Sequence, residues 1–90
     1  MEKFIKNLNL NKSGHYENNK YIIDLSDSNE YSKMYTLLDN SSILSLDPES
    51  TQISESSSML IYNDDDFKYD IKLSANYNQD EYKVIISEIK

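Results

Sequence analysis

The sequence lacks most of the residues from which catalytic and metal sites are built. Its 90 residues include no Cys, no Trp and no Arg, and only one His, one Gly and one Pro. The glycine-rich phosphate loops and the nucleophile elbow each need at least two glycines, so a single Gly excludes them. His15 has no neighbouring His or Cys with which to hold zinc. We therefore expect no enzyme activity, no cofactor and no bound metal.

Length and apolar content predict one small domain over residues 1–90. Chains usually divide at roughly 100 to 200 residues per domain. Ile, Leu, Val and Phe make up 24% of the chain, above the roughly 20% below which a charged chain usually stays disordered. No apolar run has the length of a signal peptide or a membrane span. We expect a soluble, cytoplasmic protein that folds around its own core.

Hydrophobic spacing predicts an α+β fold, in which one helix packs on the apolar face of a mostly antiparallel sheet of four to six strands. The helix is predicted over residues 28–39, because Asp27 lies three residues before Glu30, as in a capping box. Four residues recur at helical spacing and are expected to face the core: Tyr31, Met34, Tyr35 and Leu38.

Alternation of apolar and polar residues predicts the strands. Residues 67–73 place Phe67 on the same face as the apolar residues that follow it, and a polar turn leads to a second alternating segment at 81–89. These two segments predict a hairpin. Shorter extended segments are predicted at residues 20–25, 43–46, 51–56 and 58–62.

The first ten residues fit either a helix or a strand. Phe4, Ile5 and Leu8 would share a helix face, whereas Phe4, Leu8 and Leu10 would share a strand face that Lys6 interrupts. We favour the strand. It would form a hairpin with residues 20–25 across a loop at 11–19.

Negative charge is concentrated in the middle of the chain. The net charge is −7, yet residues 21–66 alone carry ten acids and one lysine, a net −9. Direct binding to nucleic acid or to an anionic membrane is disfavoured, because both need clustered Lys or Arg. A basic partner protein is the natural complement of such an acidic surface, and we expect the surplus charge to gather on one patch. The alternative is that the acidity only keeps the protein soluble.

The densest acidic run is NDDD at residues 63–66, between two alternating segments, which is also where Asn and Asp are favoured as turn residues. Counted from Asp64, a calcium loop would need Gly at the sixth position and Glu at the twelfth, where this chain has Tyr69 and Ala75. In an extended chain Asp47 and Glu49 would point the same way and form an anionic pair. The candidate partner-binding residues are Asp47, Glu49, Glu55, Tyr62, Asp64, Asp65 and Asp66.

The length, the −9 segment, the NDDD turn, the absence of Arg and the α+β pattern together give a profile that resembles a known class. It is similar to the small acidic phage-encoded inhibitors of bacterial defence, especially anti-CRISPR proteins that imitate nucleic acid. The resemblance covers the whole chain and includes no diagnostic motif. It implies a non-catalytic inhibitor in a bacterial host, whose carboxylates meet Lys and Arg in the nucleic-acid cleft of a CRISPR effector, with Tyr62 as an exposed apolar anchor.

Two alternatives stay open. One is a small structural or assembly protein, associated with a phage particle, that pairs with another chain through the edge of its sheet. The other is an immunity protein that inhibits a basic nuclease, which would need the same acidic surface.

Overall fold

The computed structural model describes residues 1–89, which form one antiparallel sheet with two helices on one of its faces. The helices are α1 (Glu2–Leu8) and α2 (Ser28–Asp39). The strands are β1 (His15–Glu17), β2 (Lys20–Leu25), β3 (Leu44–Leu46), β4 (Gln52–Ile53), β5 (Ser57–Asp64), β6 (Tyr69–Asn76) and β7 (Glu81–Glu88). Their order is β1-β2-β7-β6-β5-β3, and β4 also pairs with β5. The predicted α+β fold is confirmed.

The core lies between the sheet and the helices. Three cross-strand rows fill it, because alternate residues of each strand point to the covered face. Ile23, Val84, Leu73 and Leu60 are successive partners across β2, β7, β6 and β5. Full burial of such side chains contributes roughly 1.5 to 3 kcal/mol each. Five core side chains have no exposed surface: Ile23, Ile71, Leu73, Val84 and Ile86.

The long helix begins where the capping pattern predicts. The Glu30 N–H donates a hydrogen bond of 2.9 Å to Asp27 Oδ1, which satisfies one of the free N–H groups of the first turn. Met34 and Leu38 are buried, but Tyr35 is 42% exposed. The prediction that Tyr35 faces the core is therefore wrong. It follows Met34 by one residue, about 100° around the helix, and so lies on the flank of a narrow apolar stripe.

The N-terminal segment is a helix, so the strand predicted for residues 1–10 is wrong. Phe4 stacks on Tyr69 of β6, with ring centroids 4.1 Å apart, and Leu8 is buried. The predicted hairpin with residues 20–25 is also wrong, because β2 pairs instead with β1 from the segment predicted as a loop. Asn18 and Asn19 join the two strands with φ of 50° and 67°, as the tight turns of hairpins require.

Candidate protein-binding surface

The acidic run at residues 63–66 leads into the turn between β5 and β6, and Asp64 has a structural part in that turn. Its Oδ1 accepts hydrogen bonds from the N–H groups of Lys68 (2.8 Å) and Tyr69 (2.9 Å). Its carbonyl oxygen accepts from Phe67 N–H at 3.1 Å. The turn interpretation is therefore confirmed, and of the three aspartates only the two at 65–66 are exposed at the tip.

Asp47 is held by the edge of the sheet. Its N–H donates to the carbonyl oxygen of Ile61 at 2.8 Å. Its carboxylate accepts from Glu49 N–H at 3.2 Å and from the Ser50 hydroxyl at 2.8 Å. The extended pairing predicted for Asp47 and Glu49 is wrong, because the chain turns at Pro48 and a side-chain-to-backbone bond closes that turn.

The structure brings three of the predicted acids together around one cleft of about 390 Å³ at the end of β5. These acids are Asp47, Asp64 and Asp65. Three apolar residues line the same cleft: Leu46, Pro48 and Phe67. Leu46 is 42% exposed and Phe67 is 68% exposed. We call this group of six residues the hairpin cleft. It combines uncovered apolar surface with three carboxylates.

Glu55 does not belong to this group. It lies in the turn before Ser57, the first residue of β5, whereas Asp64 is the last. Seven residue steps of about 3.3 Å separate the two ends of this strand by roughly 23 Å. Four other acids share Glu55's end of the sheet: Asp24, Asp27, Asp80 and Glu81. The expectation of one common acidic patch is therefore wrong, since the topology divides the charge between two ends.

Tyr62 is buried, so its predicted role as an exposed anchor is wrong. It is 1% exposed and lies on the covered face of β5, opposite Ile71 and Leu46. Burial, and secondarily the negative charge of Asp39, raises the pKa of its hydroxyl to about 12. Strand β5 continues for two residues beyond Tyr62, and this extension keeps the ring under α2 instead of at the turn.

Phe67 is the exposed aromatic residue that the sequence pattern misplaced. Alternation with Tyr69 predicted that Phe67 would lie on the core face of β6, but β6 begins at Tyr69 and this prediction is wrong. Phe67 instead closes the turn with φ of 54°. The three aspartates before it were the available signal, because Asp is favoured in turns and a turn that continues through position 67 leaves Phe67 outside the strand.

Two further properties bear on function. Among residues 1–89, no three or more His, Cys, Asp or Glu side chains are arranged so that they could hold a metal ion. No helix in this part of the chain is long and apolar enough to cross a membrane. Comparisons with protein-family models, curated proteins and solved structures returned no match. The function is therefore argued from the surface of this chain.

Proposed function

We propose that this protein is a non-catalytic inhibitor that binds a basic nucleic-acid-binding protein and blocks its nucleic-acid site. The observation that carries the proposal is the lack of internal charge compensation. Of the ten acids in residues 21–66, only Glu30 forms an ion pair with a lysine, Lys12, within the described residues 1–89. The other nine carboxylates form no ion pair there and lie mainly at the two ends of the sheet.

The partner class favoured by the sequence profile is a CRISPR effector of a bacterial host. Such an effector holds its guide and target strands in a positively charged channel. Carboxylates can occupy the positions of phosphates against the lysines and arginines of that channel. Long-range attraction between the two surfaces speeds their encounter. A basic nuclease offers similar chemistry, so an immunity protein remains an outcome that identification of the partner would reveal.

The arrangement of the acids suits an extended contact. The protein measures 33 × 28 × 25 Å along its principal axes, and its two acidic ends are roughly 23 Å apart along β5. A channel that follows a nucleic-acid backbone is positive along its length. Both acidic ends can therefore contact the same partner.

Assembly through a sheet edge is less well supported. The outermost strand on one side, β1, has three residues, and the other side has β3 with three and β4 with two. Such short edges offer few backbone hydrogen bonds to an added strand. We therefore place the binding surface on the acidic ends of the sheet.

The test begins with affinity capture from a bacterial lysate at low salt, followed by mass spectrometry. The proposal predicts capture of a basic nucleic-acid-binding protein, and the added protein should displace nucleic acid from it. We expect the affinity to fall by about tenfold or more between low and high salt, because salt screens the attraction.

Variants refine this test. The double variant Asp65→Asn/Asp66→Asn should weaken capture, whereas Glu2→Gln removes one exposed acid from α1 and should change it little. Recovery of only neutral or acidic proteins would overturn the proposal. So would capture that is indifferent both to salt and to neutralisation of the acids at the two ends.

A further inference from the structure

Phe67 is an aromatic residue that the fold neither buries nor needs. Its side chain is 68% exposed. Its φ of 54° lies in the left-handed region, where bulky residues are rare outliers and where Gly or Asn is favoured. The bond from its N–H to the Asp64 carbonyl oxygen would form equally well with Asn or Gly at position 67. The folded chain alone therefore gives no reason for a phenylalanine here.

The surroundings of Phe67 supply a reason. Leu46 lies on the edge strand β3, is 42% exposed, and lines the hairpin cleft together with Pro48. Three large apolar side chains around a concave surface are typical of a contact with another molecule. The carboxylates beside these apolar side chains favour a positively charged group on the molecule that is bound. Asp65 takes no hydrogen bond from the described residues, and Asp64 Oδ2 takes none either.

We propose that the hairpin cleft receives an arginine side chain of the partner protein, with Phe67 as its anchor. The apolar residues contact the methylene stem, as apolar surfaces do for long basic side chains. The guanidinium stacks on the Phe67 ring and donates hydrogen bonds to Asp64 and Asp65. A guanidinium suits this site better than an ammonium, because it is planar and combines stacking with two parallel hydrogen bonds. This inference rests on the proposed function, since it names the group of the basic partner that is bound.

The other acidic end of the sheet differs in one respect that matters for specificity. There Lys83 lies beside Asp24, Asp80 and Glu81 around one small cleft. The positive charge of Lys83 opposes a second cation. That small cleft therefore binds an arginine less well than the hairpin cleft, which no lysine lines.

The test is an NMR titration of the full chain with a capped Gly-Arg-Gly peptide. The controls are Gly-Lys-Gly and the uncharged analogue that carries citrulline. We expect the Arg peptide to shift the Phe67 ring and the amides of Leu46, Asp47 and residues 64–68 about threefold more than those of Glu55, Asp80 and Glu81. Lysine should act more weakly, and citrulline should have little effect. Equal shifts at both ends of the sheet, or none in the wild-type protein, would overturn the inference.

A second measurement separates this inference from the proposed function. Phe67→Asn should keep the fold and lose the arginine-induced shifts, and it should weaken binding to the captured partner about tenfold. Ile53→Asn is the matched control, because Ile53 is 74% exposed in β4 and lies outside the cleft. If Phe67→Asn binds the partner normally while neutralised acids do not, the arginine site is wrong and the proposed function stands. If the wild type captures no basic protein, the proposed function fails, and the titration still decides whether the cleft binds arginine.

Discussion

Lys12 donates a hydrogen bond to Glu30, and this ion pair ties the segment before β1 to the first turn of α2. The same Glu30 oxygen also accepts from the Ser26 N–H at 2.6 Å and the Ser26 hydroxyl at 2.8 Å. These hydrogen bonds lower the pKa of Glu30 to about 2, and the bond from Lys12 has the largest effect. One carboxylate thus joins the connection after β2, the start of α2 and the segment that leads into β1.

The acid sensitivity of the fold should depend on Glu30. Its pKa is lower in the folded chain than the ordinary value of 4.5, so the unfolded state binds protons first as the pH falls. The stabilisation is therefore complete above about pH 4.5 and is lost as the pH falls towards 2. Glu30→Gln should lower the free energy of unfolding at pH 7. At pH 2 the difference in free energy of unfolding between this variant and the wild type should be smaller. Urea unfolding followed by circular dichroism at both pH values measures this difference. The same difference at pH 7 and pH 2 would contradict the prediction.

Removal of the cap of α2 should destabilise the protein. Asp27→Ala leaves the Glu30 N–H without its acceptor, and such losses cost about 1 kcal/mol. Asp27→Asn keeps a side-chain oxygen and should cost clearly less. Asp39→Ala, at the other end of α2, removes an acid without removing an N-cap. The urea concentrations at the unfolding midpoints of the three variants distinguish the loss of the N-cap from the loss of a negative charge. Equal midpoints would rule out a capping role for Asp27.

Gly14 should resist substitution even by alanine. A Cβ at this position would contact the carbonyl oxygen of Ile22 and approach Ile22 C and Ile23 Cγ1 to 2.9 Å. Backbone atoms of β2 cannot move aside without disturbing the sheet, and overpacking of this kind costs roughly 1 to 3 kcal/mol. Gly14→Ala should lower the melting temperature, whereas Ser13→Ala next to it should not. A Gly14→Ala protein as stable as the wild type would show that β1 can shift away from β2.

Phe67→Asn should stabilise the isolated protein. The left-handed conformation costs ordinary residues roughly 1 to 2 kcal/mol, and Asn tolerates it better. We expect a gain of about 1 kcal/mol. Phe67→Ala should gain little, because Ala has no polar side chain that can hydrogen-bond the local backbone in this conformation, as Asn has. Chemical unfolding of both variants distinguishes backbone strain from the loss of exposed apolar surface. If both variants gain equally, backbone strain is not the cause.

Sequence periodicity correctly predicted the elements whose hydrophobic spacing fits either a helix or a strand but not both. Helix α2 has the predicted bounds, because the Asp27 cap and the helical spacing agree. The β6–β7 hairpin was likewise clear, apart from Phe67. The first ten residues were ambiguous because seven helical residues are too few to separate a period of 3.6 from a period of 2.

The candidate site was harder to predict, since it depends on where strands end. Tyr62 and Phe67 both flank the acidic run, and both were assigned to the wrong environment: alternation placed Phe67 in the core, and nearness to the turn placed Tyr62 on the surface. If β5 ended two residues earlier, Tyr62 would lie at the turn and would be exposed instead of buried. The acids posed a different problem. Glu55 and Asp64 are close in sequence but lie at opposite ends of one strand, which only the pairing of β5 with its neighbours establishes.

The position of β7 affects how the chain is made in the cell. It is the last strand in sequence order, yet it lies between β2 and β6. The residues before position 81 supply only two separate groups of strands, and without β7 no strand joins them. Folding must therefore largely follow synthesis of β7, and the long separation between partners slows it further. A premature stop codon before residue 81 would remove the middle of the sheet rather than its margin, and the truncated product should be degraded.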